Sequence, residues 1–275
     1  MRGTQTYAQQ NPAPRAALTG KYRALLIATN DYEEWDSLKN PVSDAEAIAQ
    51  ELESRYGFEK PKLLLNKTKR EMSTAIADLK TQQFGHDELF IFIAGHGTYE
   101  KVTHTGFLVA KDSEKNDPGY DTYYSLPDLL RNVGAVPVNH VLVVIDACQA
   151  GEGFAQLTRG DPKGDITYKP GGKLDGLLEK KDRKSKLWIT SGGDDYVPDG
   201  EDGHSPFAYQ LLRGLASGGS DPEGIVTFLD LLGYANRVHS PAPQPAYGPL
   251  PGNAPGADFW LIANPALRVR PADRR

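Results

Sequence analysis

Apolar residues along this chain come in short unbroken runs, separated by stretches in which they recur every three or four positions. YRALLIAT (22–29), PKLLLN (61–66), DELFIFIAG (87–95), HVLVVIDA (140–147), KLWITSG (186–192) and GADFWLIA (256–263) are runs of the first kind. Their length and the turn-forming residues around them predict buried strands. Between them the period changes. PVSDAEAIAQELESRY (41–56) sets Val42, Ala45, Ile48, Ala49, Leu52 and Tyr56 on one helical face, with Pro41 near its start, where proline fits a first helical turn. EMSTAIADLKTQ (71–82), SLPDLLRNV (125–133), SPFAYQLLRGLASG (205–218) and TFLDLLGYANRVHS (227–240) predict further helices. Strands apolar on both faces, alternating with helices, predict an α/β fold: a mainly parallel six-stranded sheet with helices on both sides.

Long non-periodic stretches interrupt the alternation. Residues 149–185, rich in Gly, Lys and Asp, and residues 193–204, GDDYVPDGEDGH, have the length of lids, binding loops or linkers. SPAPQPAYGPLPGNAPG (240–256) reads as a covering loop. Residues 1–19, rich in Gln, Pro, Ala and Thr, have little to bury and predict a flexible arm. The expected organisation is one domain over 20–265 followed by a tail, 266–275.

Composition narrows the class. The chain has 275 residues, 39% of them hydrophobic, enough for a substantial core. Its net charge of -5 gives no general attraction to phosphate backbones or anionic membranes, so neither nucleic acid nor membrane is an expected partner. No apolar run approaches the roughly 20 residues of a membrane span, and the first twenty residues lack the apolar segment of a secretory signal. A single cysteine, Cys148, leaves no internal disulfide framework and no multi-cysteine zinc site, which fits a reducing, cytoplasmic setting.

Two strand ends carry chemistry. LFIFIAG runs into His96-Gly97 and VLVVIDA runs into Cys148. Ligands of open parallel sheets bind beyond the carboxyl ends of the strands. If the two strands are neighbours, an imidazole and a thiol project from one rim as base and nucleophile, and their pairing favours the thiolate near neutral pH. Gly95 and Gly97 let the backbone approach a substrate closely. The N–H groups of Gly97 and Cys148 are the candidate oxyanion donors. Each residue has an ordinary reading as well: a lone cysteine packs as a small hydrophobe, and a histidine between glycines serves a turn. The pair stands 52 positions apart, near the spacing of about 50 in caspases.

GHG at 95–97 with DACQAG at 146–151 resembles the caspase-haemoglobinase class of cysteine proteases, in particular its metacaspase, paracaspase and bacterial caspase-like branch. YRALLIATNDY resembles that family's first strand, LKNPVSDAEAIAQEL its first helix, and HSPFAYQLLRGL with AYGPLPGNAPGADFWL its C-terminal half, so the likeness covers about residues 21–263. It implies the three-layer caspase-haemoglobinase fold and a cysteine endopeptidase working through a His96–Cys148 dyad. The sequence departs from the animal signature QACRG, with Asp146 where that family has Gln and Gly151 one place later. In basic-specific relatives an acid at that place belongs to the specificity pocket, and the resemblance assigns this role to Asp146 and, from the first helix, to Asp44. Asp195 is a third candidate, with Asp194 as its competitor. Two carboxylates in a partly desolvated recess repel unless a cation lies between them, which implies protein or peptide substrates cut after Arg or Lys. For Asp44 the alternative is an acid that complements the helix dipole.

No residue that would orient His96 is evident in the sequence. The 149–185 loop offers basic residues for activating self-cleavage or for a separate activating protease or regulatory protein; a solvated linker is the competing reading. DSEKNDPGYD (112–121) does not match an EF-hand, and neither metal nor cofactor is expected. A catalytically silent interaction module is the rival function, and retention of both His96 and Cys148 argues against it.

Overall fold

The computed structural model describes residue 18 and residues 20–85, 87–147, 172–192, 203–238 and 245–264. Strand β1 (Tyr22–Ala28) is followed by helix α1 (Pro41–Glu51), which continues into a π-helical turn, Leu52–Tyr56. Gly57, at φ 74°, ends that turn in the left-handed conformation a glycine adopts without steric penalty. After β2 (Lys62–Leu65), Thr68 and Glu71 cap each other's backbone N–H at the start of α2 (Lys69–Leu79). This reciprocal box satisfies two donors the first turn would otherwise leave open. Strand β3 (Glu88–Gly95) leads through His96 into β4 (Gly97–Glu100), which pairs with β5 (Thr105–Leu108) and, through it, with β6 (Tyr124–Ser125). Then come α3 (Leu126–Gly134), β7 (His140–Ala147), α4 (Lys173–Leu178), β8 (Ser185–Thr190) and α5 (Pro206–Ser217). The chain ends, among the described residues, with β9 (Ile225–Thr227), α6 (Phe228–Ala235), β10 (Ala246–Pro249) and β11 (Trp260–Ile262).

The main sheet has the order β10-β8-β7-β3-β1-β2, parallel except for β10. Alternate residues of each strand feed two cores. Leu26, Phe90, Phe92, Leu142, Val144 and Ile189 pack with α1, α5 and α6 on one face. Leu25, Ile91, Ile93, Val143, Ile145 and Trp188 pack with α2 and α3 on the other. Burial on both faces is why these strands read as unbroken apolar runs. The chain leaves β1 toward β2 and then crosses back to β3, so the winding reverses between β1 and β3. In sheets of this kind a crevice opens there, beyond the carboxyl ends of the strands.

The expected architecture is present, with its sixth strand placed differently. Of the 256–263 run, Trp260–Ile262 forms β11, which pairs with β9 in a separate two-stranded sheet. The antiparallel edge strand comes instead from the proline-rich stretch expected to be a covering loop, where Ala246–Pro249 pairs with β8. An edge strand needs ladder bonds on one side only, so Pro249 is tolerated there. The β4-β5-β6 sheet lies between β3 and α3, its strands too short to show a period. Helix α4 stands inside the 149–185 stretch, packing Leu174 and Leu177 against Ile225 and Trp260. Leu18, from the segment expected to be a flexible arm, is buried in that same cluster and accepts a bond from the Trp260 indole. Among the described residues no helix is long and apolar enough to cross a membrane.

Candidate active site

The β3–β7 register pairs Ala94 with Asp146 and Gly95 with Ala147. The strand ends that lead into His96 and Cys148 are therefore side by side, as the sequence predicted for neighbouring strands. Cys148 itself, Asp194 and Asp195 lie outside the described residues, so the structure places the entry to the nucleophile position and not the thiol.

His96 is held from three sides. Its backbone N–H donates to the Tyr32 hydroxyl at 2.8 Å, and that hydroxyl donates to the Thr29 carbonyl at 2.9 Å. The imidazole lies against the rings of Tyr32 and Trp35, with centroids 4.9 and 5.6 Å away. Its Nε2 is 2.8 Å from the carbonyl oxygen of Asp36. A carbonyl only accepts, so Nε2 carries the proton and Nδ1 is the acceptor of the neutral ring. The orienting group that the sequence left open is thus a main-chain oxygen. Its loop is pinned by Leu38 N–H to the Asn30 carbonyl at 2.9 Å and Glu33 N–H to the Lys111 carbonyl at 3.0 Å. Asn30 Oδ1 also accepts from Val42 N–H at 3.0 Å, which ties the loop to α1.

The glycines beside His96 have separate reasons. A Cβ on Gly95 would stand 2.7 Å from the Tyr32 hydroxyl, so only glycine lets that hydroxyl reach the His96 N–H. At Gly97 the ladder decides. Val109 N–H donates to the His96 carbonyl at 3.0 Å, which makes Gly97 and Leu108 a non-hydrogen-bonded pair between β4 and β5. The Gly97 N–H consequently points away from β5, available to an incoming oxygen.

Asp44 and Asp146 are bridged by one residue. Asp146 shares the sheet face of Leu142 and Val144, the face covered by α1 and α5. Asp44 lies on the sheet-facing side of α1 and is 0% exposed, while Asp146 is 8% exposed. Asp44 stands in the first turn of α1, where a carboxylate also complements the helix dipole. Ser205 joins the two carboxylates: its N–H donates to Asp44 Oδ2 at 3.2 Å, and its hydroxyl donates to Asp146 Oδ2. The same Ser205 oxygen caps α5 by accepting from Ala208 N–H at 2.9 Å. His204 Nδ1 lies 2.5 Å from Asp44 Oδ1.

Burial dominates the electrostatics. It pushes the Asp44 carboxyl up to about 6, against the lowering pull of His204 and the Ser205 N–H, with the neighbouring Asp146 charge adding to the rise. Burial also raises Asp146 above the ordinary carboxylate range, and the Ser205 hydroxyl offsets part of that rise. Among the described residues, no Lys or Arg forms an ion pair with either carboxylate; the ionisable partner of Asp44 is His204. Two desolvated carboxylates without a strong cation are stabilised by the approach of one.

The sequence nominated His96, Gly97, Asp44 and Asp146, which the structure gathers around the carboxyl ends of β3 and β7; it gave no sign that the Asp36 carbonyl, Tyr32, Trp35, His204 and Ser205 stand beside them. The Ser205-Pro206 pair was a legible helix start; a backbone carbonyl leaves no residue-type signal.

Over residues 21–243 the sequence matches the family model of the caspase domain, peptidase family C14, and the chain belongs to that family. Its fold is similar to that of caspase-1 from Spodoptera frugiperda, with a TM-score of 0.56 at 17% identity over 84% of this chain and 86% of that one. No curated protein matches the sequence. Family membership carries a protease-type function and, with it, protein substrates.

Proposed function

We propose that this protein is a cysteine endopeptidase that cuts polypeptides after Arg or Lys, acting in the cytoplasm through one peptidase domain spanning residues 20–265. The observation that carries the reading is the buried Asp44–Asp146 recess directly behind the strand end that enters Cys148. A basic side chain entering it would neutralise both carboxylates and set the following peptide carbonyl at the rim. Cys148 gives its thiol proton to His96 Nδ1, and the resulting thiolate adds to that carbonyl. The Gly97 and Cys148 N–H groups hold the oxyanion, and His96 protonates the departing amine, leaving a thioester. Water, deprotonated by His96, adds to the thioester; collapse releases the acid and regenerates the thiolate. Asp195 remains a proposed third acid of the recess. Self-cleavage within 149–185, or cutting there by another protease, is the proposed activation step.

A fluorogenic peptide ending in Arg, run beside one ending in Asp, tests the reading. Cleavage of the Arg peptide is expected to exceed that of the Asp peptide by at least about a hundredfold and to fall by about a thousandfold or more in Cys148→Ala and His96→Ala. Equal turnover of both peptides would remove the basic preference. Turnover that survives in Cys148→Ala would remove the nucleophile, and no turnover by the wild type, with or without the 149–185 loop cut, would leave the silent module standing.

A further inference from the structure

Asp44 is engaged on both oxygens, by donors of different kinds. Oδ2 receives a backbone N–H, from Ser205, at 3.2 Å, and Oδ1 faces His204 Nδ1 at 2.5 Å. The His204 contact is the shorter of the two, and bonds in which a partner is charged are shorter than neutral ones. Among the described residues His204 is therefore the one side chain that bonds Asp44, since the Ser205 hydroxyl is committed to Asp146. His204 is 27% exposed while Asp44 is sealed. The histidine lines a groove of about 460 Å3 between α1 and α5, flanked by Gln50, Glu51, Tyr209 and Arg213. His204 is thus open to solvent along the groove.

We infer that His204 is a positioning residue of the specificity recess: by donating Nδ1–H to Asp44 it holds that carboxyl ionised and in place to receive the substrate's basic side chain. The inference rests on the peptidase reading for its consequence, and on the His204–Asp44 contact for its geometry. The charged and titratable groups facing this pair are Asp146 from β7, Glu51 from α1, and Tyr209 and Arg213 from α5. A buried carboxyl beside a second carboxyl takes up a proton readily. With His204 gone, Asp44 keeps a single backbone donor and protonates at higher pH. The recess then loses charge before the dyad loses activity. His204 touches neither thiol nor scissile bond in this role, so its effect falls on substrate capture and not on the chemical steps.

The test measures kcat and KM for an Arg peptide between pH 5 and 8 in wild type, His204→Ala and His204→Asn. In His204→Ala the pH at which KM begins to climb on acidification is expected to move up by about one unit, while kcat and its own pH midpoint change less than about twofold. His204→Asn keeps an N–H donor without the ring's charge and is expected to recover more than half of that shift, which a merely structural role would not produce. An unmoved KM profile in both variants, or a loss carried by kcat, overturns the assignment. A second readout does not depend on catalysis: carbon-13 NMR of the Asp44 carboxyl in Cys148→Ala protein, with and without His204→Ala. A rise of the titration midpoint in the double variant supports the role of His204 even if the wild type proves inactive on basic peptides, in which case the peptidase reading falls alone. An unchanged midpoint overturns the role itself. Should His204→Ala fail to fold, His204→Leu, which keeps bulk without a donor, replaces it in both comparisons.

Discussion

Asp44 is a residue whose placement opposes stability and whose proposed task explains why it is there. Its folded-state value of about 6 stands above the ordinary 3.8, so the folded protein holds this proton more tightly than the unfolded chain does. Stability linked to the group is then full below about pH 4 and declines as pH rises through 6, by about 3 kcal/mol in total. Asp44→Asn removes the desolvated charge while keeping an acceptor for Ser205. Relative to wild type, the variant is expected to gain stability at pH 8 compared with pH 4.5, as read by urea unfolding at the two pH values. Its KM for Arg peptides is expected to rise at least about tenfold. If Asp44→Asn were less stable than wild type by the same margin at both pH values, the carboxyl would not be the strained group described here.

At the scale of elements, the exit from β3 concentrates the constraints. Gly95 leaves room for the Tyr32 hydroxyl, that hydroxyl holds the His96 N–H, and the pinned 30–40 loop brings the Asp36 carbonyl to Nε2. Gly95→Ala would push a methyl group to 2.7 Å from the hydroxyl, so Tyr32 or the strand end has to move. The expected outcome is a ten- to hundredfold fall in kcat, on the order of what small misplacement of a reacting group produces. KM for Arg peptides should change little, because the acidic recess is built from α1, β7 and the start of α5. Steady-state kinetics that showed KM rising with kcat preserved would mean that the two parts of the site are not separate.

For the molecule as a whole, the sheet has a functional rim and a structural one. At the amino ends of β3 and β7, His140 Nδ1 sits 2.8 Å from Glu88 Oε1, both almost fully buried, with Trp260 edge-on to the imidazole. Although burial alone would lower His140, the Glu88 charge and hydrogen bond raise it above the ordinary value, while burial raises Glu88. Removing one partner of such a pair strands the other, which typically destabilises by 3–5 kcal/mol. His140→Ala is accordingly expected to unfold at markedly lower denaturant, by about 3 kcal/mol or more, with kcat and KM of the folded protein within about twofold of wild type. A large kinetic change at constant stability would instead join this pair to the site at the opposite rim.

Much of this arrangement was written locally. Unbroken apolar runs follow from strands buried on both faces, and the period of 41–56 follows from a helix covering one of them, so fold class and the order of the main layers could be read from neighbours in the chain. His96 and Cys148 stood out as candidates because each directly follows such a run, and Asp146 because it is an acid inside one. Which strand occupies the sheet edge was not visible, since three- and four-residue strands such as Trp260–Ile262 and Ala246–Pro249 carry too little pattern to reveal their partners. Nor were the Asp36 carbonyl behind His96 or the His204–Ser205 bridge to Asp44, which spans about 160 positions. Those contacts arise only when distant segments are packed together, because hydrogen bonds and shared burial depend on separation in space, of which the order of residues keeps no local record.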